Sequence, residues 1–317
     1  MNGANYSQTV ARELVHKSSV AEVLLTSVAT TPSTWLCHAQ LPRRHSFHTD
    51  TLGVQSGYHD PLLVLEAFRQ ASIAASHVSY GLPLDVRHTV SYYELSFLDP
   101  AALKCGPHVL DLELDITVRS EFRRRPGRPV QGVEAMGVAI HEGKKVLELS
   151  GAFGWMSNAL WKAIRARAGA SWDAGPQPSP ADPQIVGRTR PENVVIGAPV
   201  PLAGGAASAP IVVDVSHPTI FDHPLDHLPG GLIIEACRQL SLALLGSRSA
   251  YTMGPARLRC DFQSFTELNA PTTVTVAPVA EDALSFRAEV TQSGQTRASV
   301  ELSFTTGDGG DGSPPSA

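Results

Sequence analysis

The chain is poor in cysteine, and its few thiols lie far apart. Its 317 residues include four cysteines, and no two of them form a Cys-x-x-Cys pair. This spacing excludes the common cysteine-based zinc and redox motifs. We expect free thiols, as in a protein of the reducing cytosol. They are Cys37, Cys105, Cys237 and Cys260.

Long apolar runs and an excess of positive charge are also missing. No stretch of about 18 apolar residues occurs, so we expect no transmembrane helix. No apolar segment follows a basic one near the first residue, so we expect no signal peptide. The net charge is −5, and no helix-turn-helix pattern is present, so nucleic acid is not an expected partner. These absences together predict a soluble cytoplasmic protein.

What the sequence does contain is a core and a repeat. Apolar residues make up 43% of the chain, which indicates a globular protein long enough for two domains. Residues 66–72 read Glu-Ala-Phe-Arg-Gln-Ala-Ser, and residues 235–241 read Glu-Ala-Cys-Arg-Gln-Leu-Ser, with five of seven positions identical. His48 and His217 share the same spacing of 169 residues (66 to 235). A fixed period of this kind predicts duplicated architecture.

Each copy predicts one buried helix followed by antiparallel strands. Residues from Leu62 to about Val78, and from about Gly231 to Leu245, are apolar nearly all round, as in a buried helix. Alternating residues predict strands after each helix, and Glu142-Gly143 is the expected turn of a hairpin. The expected strands of the first copy are 89–98, 109–118, 130–141 and 144–154. Those of the second are 256–265, 272–279, 283–292 and 295–305, preceded by strand-like pieces at 194–196 and 211–213.

One long helix packed against an antiparallel sheet is the hotdog arrangement, so the sequence predicts an α+β tandem (double) hotdog. We place the N-terminal hotdog domain at residues 15–168 and the C-terminal one at 184–306. A linker rich in Gly, Ser and Pro joins them at 169–183. A tail of Gly, Asp, Ser and Pro at 307–317 is expected to be disordered.

The repeated motif carries groups suited to chemistry. Pro229-Gly230-Gly231 forms a turn into the second helix, whose free N–H groups could hold an oxyanion. Glu235 follows inside an apolar helix, where a carboxylate has a raised pKa unless it is paired, as suits a general base. Arg238 and Gln239 share its face at i+3 and i+4. The first copy offers Glu66, Arg69 and Gln70, and a local ion pair is the structural alternative in both.

The loop before the second helix is rich in histidine. His223 and His227 lie four residues apart, next to Asp222 and Asp226. Two prolines keep this loop from being helical, so the spacing does not place both imidazoles on one face, and we expect no metal. An acid/base or hydrogen-bonding role for one histidine is the stronger interpretation, and His48 is its candidate in the first copy.

These segments resemble two known families. His223-Pro224 through Pro229-Gly230 to Glu235-Ala236 and Gln239 resembles the signature of hotdog 3-hydroxyacyl-carrier-protein dehydratases. The dehydratase pattern has no Arg between Glu and Gln. The duplicated Glu-Ala-x-Arg-Gln, preceded by Phe-Asp-His-Pro-Leu-Asp-His-x-Pro-Gly, is instead similar to the A-factor biosynthesis (AfsA) family of actinobacteria. The likeness spans about 15–165 and 185–305.

The AfsA resemblance implies an acyltransferase without a cofactor. Family members condense a β-ketoacyl chain, delivered as an acyl carrier protein thioester, with the primary hydroxyl of dihydroxyacetone phosphate. The product leads to γ-butyrolactone, butenolide or furan signalling molecules. A hotdog thioesterase or dehydratase, or a non-catalytic acyl- or lactone-binding protein, remains the alternative.

On this interpretation each residue type has a task. Glu66 or Glu235 would be the base, and Arg69 or Arg238 would hold the phosphate. Gln70, Gln239, Gly230 and Gly231 would also bind substrate.

We expect each site to combine both halves, as in paired hotdogs. One would join Glu66 to Arg238, His223 and His227, and its mirror would join Glu235 to Arg69 and His48. The first copy lacks the Pro-Gly-Gly turn, so a single working site is one possibility. The basic run 119–128 is either a solvated loop or a docking site for the carrier protein.

Overall fold

The computed structural model describes residues 5–306. The tail predicted to be disordered, 307–317, lies outside this range. The described part contains three α-helices, α1 (Pro61–Tyr80), α2 (Asn158–Arg167) and α3 (Gly230–Leu245). Its first six strands are β1 (Leu25–Thr30), β2 (Thr34–Leu41), β3 (Arg87–Phe97), β4 (Leu110–Phe122), β5 (Gly132–His141) and β6 (Lys144–Met156). The other six are β7 (Val200–Pro201), β8 (Ala207–Pro210), β9 (Thr252–Phe262), β10 (Thr272–Val279), β11 (Asp282–Gln292) and β12 (Gln295–Thr306).

All these strands form one continuous antiparallel sheet. The first half has the order β1-β2-β4-β5-β6-β3, and the second half has the same order of corresponding strands, β7-β8-β10-β11-β12-β9. The halves meet where β3 pairs with β9, for example at Glu94 and Arg259. Helix α1 packs on the first half of the sheet and α3 on the second. The predicted α+β double hotdog is therefore confirmed.

The two long helices begin differently. At α1, the Asp60 Oδ1 atom accepts a hydrogen bond from the Leu62 N–H at 3.0 Å, and Pro61 occupies the first turn. These are common signals of a helix start. Helix α3 begins after Pro229 and has no side-chain cap. The N-terminus of α3 consequently keeps its first N–H groups available to another acceptor.

The strand predictions hold best where side chains alternate. The hairpin between β5 and β6 turns at Glu142 and Gly143, whose φ values are 46° and 76°. The expected strand pieces at 194–196 and 211–213 are wrong, because only Ile196 and Ile211 form an isolated bridge. The Val195 N–H donates to the Gln239 side chain instead of to a neighbouring strand. Short β7 and β8 take their place at the edge of the sheet.

Within residues 5–306, no helix combines the length and the apolar character that crossing a membrane requires. The domain boundaries remain a prediction, since a continuous sheet runs through both halves.

Candidate active site

A cavity of about 280 Å³ lies between the two halves. The first half contributes α1 residues, including Glu66 and Arg69, and the second contributes His223, His227 and the start of α3. Apolar side chains from α1, β3 and β6 line much of the remaining wall. The cavity therefore combines a charged end with an apolar one, as small-molecule sites commonly do.

The charged end is built around the Glu66 carboxylate. Arg69 donates to it from Nε at 2.7 Å and from Nη2 at 2.9 Å, and the Lys17 Nζ lies 3.1 Å away. The side chains of Glu66 and Arg69 are 22% and 27% exposed. Both groups therefore face the cavity, and within the described chain the Arg69 Nη1 atom makes no hydrogen bond.

The corresponding cluster on α3 is closed. Glu235 receives hydrogen bonds from Arg188 and from the Arg238 Nε at 2.8 Å. Their side chains are only 1–2% exposed. The Arg238 Nη1 donates to the Asp60 Oδ2 at 2.7 Å, and the His48 Nδ1 lies 3.2 Å from the same oxygen. Although Glu235 and His48 line the cavity wall, their polar groups already have partners inside the protein.

The two glutamines of the motif hold the helices in place. The Gln70 Oε1 accepts from the Leu24 N–H, and its Nε2 donates to the Glu22 carbonyl. Gln239 makes the same pair of bonds with Val195 and Asn193. Both side chains are fully buried. The structure thus corrects the expectation that Gln70 and Gln239 bind substrate, because these atoms serve the fold.

The glutamine bonds also define which residues correspond outside the motif. Glu22 and Asn193, like Leu24 and Val195, are 171 residues apart, and so are Lys17 and Arg188 (17 to 188). Lys17 binds Glu66 as Arg188 binds Glu235. Arg188 is sealed further by donating to the Phe47 and Asp50 carbonyls and by lying over the Phe47 ring.

Asp60 marks the chief difference between the copies. It precedes α1 as Pro229 precedes α3, and its carboxylate joins the Leu62 N–H to Arg238. We call the accessible cluster around Glu66 and Arg69 the open copy and the buried cluster around Glu235 and Arg238 the sealed copy. The residue that faces the open copy in place of Asp60 is Pro229, and it supplies no carboxylate. The Gly231 N–H, which corresponds to that of Leu62, has no partner among residues 5–306. A methyl group added to Gly231 would meet no atom within 4 Å, so the helix end is accessible.

His227 is the better held of the two loop histidines. Its Nδ1 lies 2.8 Å from the Asp226 Oδ1, and Asp226 in turn accepts from the Arg165 Nε at 3.0 Å. The imidazole packs against Trp161 and Phe265. This arrangement fixes the ring, and the Nε2 atom has no hydrogen-bond partner among residues 5–306.

His223 has a looser connection to the loop. Its Nδ1 lies 3.4 Å from Asp222, whose carboxylate is tied to the N–H groups of Ser18 and Ser19. Burial lowers the pKa of His223, and the nearby Arg69 adds to this effect, although Asp222 opposes it. His223 is therefore a neutral group beside Arg69 at pH 7.

Pairing decides the acidity of the two glutamates. Burial alone would raise the pKa of Glu66, but Arg69 and Lys17 outweigh it and hold the pKa well below its usual range. For Glu235, Arg188 and Arg238 outweigh burial in the same way and lower the pKa. The sequence predicted a raised pKa for Glu235 only if its carboxylate were unpaired, and it is paired. A carboxylate of low pKa is a weak base.

The structure brings Glu66, His223 and His227 together across the halves, as expected for one site. It does not bring Arg238 there, because Arg238 is buried against Asp60 and Glu235, and Arg69 occupies the site instead. The expected mirror site is corrected likewise, since Glu235 pairs with Arg188 and Arg238 and not with Arg69.

Sequence reasoning missed several residues of these clusters, namely Lys17, Asp60, Arg165 and Arg188. One signal was present for two of them. Val15 and Val186, and Val23 and Val194, repeat at the spacing of 171 residues that relates Lys17 to Arg188.

Comparison with known proteins gives a consistent picture. The family model of the A-factor biosynthesis hotdog domain matches residues 2–147 and 170–307. A 2-oxo-3-(phosphooxy)propyl 3-oxoalkanoate synthase of Streptomyces virginiae is 34% identical over 282 residues, covering 86% of this chain and 88% of the relative. An enzyme of the same name from Streptomyces griseus is 31% identical over 270 residues, covering 84% and 85%.

Among solved structures, the dehydratase domain from the CurF module of curacin polyketide synthase superimposes with a TM-score of 0.51. It covers 89% of this chain and 97% of its own, at 10% identity. A likeness at this identity supports the fold alone.

Arg238 and Arg69 occupy equivalent positions of the repeat, but removing one should lower the stability of the protein much more than removing the other. Arg238→Ala leaves the buried Asp60 carboxylate without its partner guanidinium and leaves Glu235 with Arg188 alone, so we expect a loss of about 3–5 kcal/mol in the free energy of unfolding. Arg69→Ala changes a partly exposed pair, and we expect a loss of about 1 kcal/mol or less. Urea unfolding followed by circular dichroism measures both, and equal losses would contradict the assignment of one sealed and one open cluster.

Proposed function

The chain belongs to the A-factor biosynthesis hotdog family, and we propose that it transfers a 3-oxoacyl chain from a thioester to the primary hydroxyl of dihydroxyacetone phosphate. The relatives' name describes such an ester, a 3-oxoalkanoate carried by a phosphooxypropyl group. The ester would serve as a precursor of a γ-butyrolactone, butenolide or furan signalling molecule. A cytoplasmic location is part of this proposal.

The observation that carries the proposal is the position of the Asp60 carboxylate in the sealed copy. There, one anion joins the first free N–H of a helix to the Nη1 of the facing arginine. The open copy repeats both donors, as the Gly231 N–H and the Arg69 Nη1, but Pro229 contributes no anion. A phosphate bound between these donors would satisfy both, in the way that Asp60 does on the other side.

Lys17 and Glu66 fit the same role. Lys17 adds a second positive charge at the charged end, and Glu66 orients both cations by hydrogen bonds and ion pairing. Since phosphate is a dianion at neutral pH, two cations and a helix N-terminus match it well. We therefore assign Glu66 to positioning Arg69 and Lys17, and not to proton transfer.

His227 is the proposed general base. Its Nε2 would take the proton of the dihydroxyacetone phosphate hydroxyl while that oxygen attacks the thioester carbon. Asp226 and Arg165 would stabilise the imidazolium that results. The C–S bond then breaks, the acyl–oxygen bond is complete, and the departing thiolate receives the proton from His227. The Gly230 N–H, which has no counterpart at Pro61, would hold the developing oxyanion.

The apolar part of the cavity would hold the acyl chain. Leu65, Ile73, Val90, Phe153 and Leu225 line it, and they lie on four different segments of the two halves. A chain buried there would be removed from water, which favours binding by about 0.8 kcal/mol per methylene group.

We also propose that the donor is an acyl carrier protein thioester. The basic run expected from the sequence forms the exposed turn between β4 and β5, where Arg124, Arg125 and Arg128 are exposed. Tyr80, whose hydroxyl donates to Glu121 beside this turn, packs against Trp155, and Trp155 contacts His88 of the cavity wall. A chain of side-chain contacts thus connects the turn to one end of the cavity, and an acidic carrier could dock on the turn.

The acceptor dependence of thiol release tests the reaction. We expect the protein to release thiol from a 3-oxoacyl thioester only when dihydroxyacetone phosphate is present. In Arg69→Ala, kcat/KM for dihydroxyacetone phosphate should fall about 10- to 100-fold, the effect of losing a charged hydrogen bond. Unphosphorylated dihydroxyacetone is the control, and the variant should use it as well as the parent protein does. Release without any acceptor would indicate a thioesterase instead.

A carboxylate introduced at Pro229 provides a matched test of the phosphate position. Pro229→Asp should cap α3 and pair with Arg69, and so exclude dihydroxyacetone phosphate, whereas Pro229→Asn lacks the charge. We expect KM for dihydroxyacetone phosphate to rise much more in the Asp variant than in the Asn variant. Equal effects of the two substitutions would refute the assigned position.

The two histidines should separate in kcat. We expect His227→Gln to lower kcat about 10²- to 10⁴-fold, the usual contribution of a general base. His223→Gln should lower kcat much less, because its imidazole is not held by an Asp–Arg pair. Glu66→Gln should mainly raise KM for the phosphate substrate. The proposal fails if Glu66→Gln lowers kcat as much as the loss of a general base would while His227→Gln leaves kcat unchanged.

Carrier recognition predicts a dependence on the charge of the exposed turn. Arg124→Glu combined with Arg125→Glu should raise KM for the carrier-bound substrate, since it replaces attraction to an acidic partner by repulsion. The same acyl chain on pantetheine, which lacks the carrier, serves as the control and should react unchanged. High salt should weaken the carrier reaction of the parent protein. If the double substitution changes KM equally for the carrier-bound and the pantetheine substrate, docking of the carrier at this turn is contradicted.

A further inference from the structure

Three histidines that the reaction does not use gather at one end of the cavity. His16 follows a short 3₁₀ turn, His77 lies in the last turn of α1, and His88 is at the start of β3. One ring nitrogen from each lies within 4.8 Å of the others. His16 and His88 also line the cavity wall.

The hydrogen bonds of His77 and His88 fix which nitrogens carry protons. The His77 Nδ1 lies 3.0 Å from the Leu82 carbonyl, which can only accept, so Nδ1 is protonated and Nε2 has a free lone pair. The Ser76 hydroxyl donates to the Ile73 carbonyl at 2.7 Å and therefore accepts from the His88 Nε2 at 2.8 Å. His88 thus has its lone pair on Nδ1, which is buried and has no partner within residues 5–306.

Hydrogen bonds among residues 5–306 do not satisfy the whole cluster. The His16 Nε2 lies 2.9 Å from the His77 Nε2, so one proton can be shared between these two rings. The His88 Nδ1 then still lacks a donor, and a buried acceptor without one costs about 1–3 kcal/mol. Since one nitrogen from each of the three rings lies within 4.8 Å of the others, a cation bound among the rings would supply a partner without the need for a further proton.

We propose that His16, His77 and His88 bind a zinc ion whose fourth coordination position faces the cavity. Three imidazole nitrogens without a carboxylate form a set that zinc favours, with Zn–N distances of about 2.0–2.1 Å. The Leu82 carbonyl and the Ser76 hydroxyl are the outer partners that orient such ligands. The guanidinium groups of Arg69 and Arg87 act on His16 and would oppose an uncompensated cation, so they favour an anionic oxygen as the fourth ligand. Sequence spacing gave no sign of this site, because its residues belong to three separate segments.

Metal binding can be measured directly on untagged full-length protein. After treatment with a chelator, we expect one equivalent of Zn²⁺ to bind, and Co²⁺ in its place should show the visible absorption of a tetrahedral site. His16→Asn suits the φ of 55° at this position, since Asn tolerates the left-handed region. It should weaken zinc binding more than about 100-fold, beyond the effect of an outer-partner change. His108→Ala, at an exposed histidine, is the control and should bind as the parent does.

A second variant separates ligation from a merely structural role. Ser76→Ala keeps all three histidines but removes the group that orients His88, so zinc affinity should fall about 10- to 100-fold. Circular dichroism and the unfolding midpoint of each chelated variant check that the fold is intact. Two results would overturn the proposal: zinc affinity as weak as that of a single exposed histidine, or unchanged zinc affinity in His16→Asn. Either result would mean that the three histidines form only a hydrogen-bonded cluster. Neither result depends on the acyltransferase reaction.

Discussion

The ion pair between Asp60 and Arg238 is the interaction on which the arrangement of the two halves depends. The carboxylate belongs to the first half and the guanidinium to the second, 2.7 Å apart and almost completely buried. Asp60 also caps α1, so a single side chain fixes the start of one long helix against the middle of the other. Arg188 extends the contact by binding Glu235 and the carbonyls of Phe47 and Asp50. The cavity around Glu66 and Arg69 lies between the same two halves, so its shape depends on this contact.

Duplication supplied two copies of the same charged residues, and burial has given them different properties. In the sealed copy, every charge has a partner within the chain, and the pKa of Glu235 is lowered by two arginines. In the open copy, Lys17 and Arg69 face the cavity beside a helix N-terminus that has no cap. The chief difference lies at one position, where Asp60 in the first copy corresponds to Pro229 in the second. A motif that looks equivalent in sequence is therefore structural in one half and accessible in the other.

The sequence predicted the elements well where a local pattern encodes them. The buried helices, the hairpin at Glu142-Gly143 and the paired hotdogs follow from periodicity and from the repeat. The meeting of Glu66 with His223 and His227 also follows, once the halves are taken to face each other. The sequence does not show whether Arg69 or Arg238 faces the cavity, because this depends on which of the two helices starts at a carboxylate. Lys17 and Arg188 were hidden by a change of repeat spacing from 169 to 171, and the histidine cluster has no local spacing at all.

The survival of so many buried charges in the sealed copy needs a reason other than stability. Apolar residues of similar volume would often stabilise such a site as much as a buried ion pair does. What the ion pairs provide is direction, since an arginine fork and a carboxylate fix both distance and angle. Asp60, Arg238 and Glu235 thus hold α1 and α3 at a defined offset. Because Glu66 and Arg69 lie on α1 while His227 and Gly231 belong to the α3 side, that offset sets their separation across the cavity. The ion pairs of the sealed copy thus determine how the residues of the open copy are placed relative to one another.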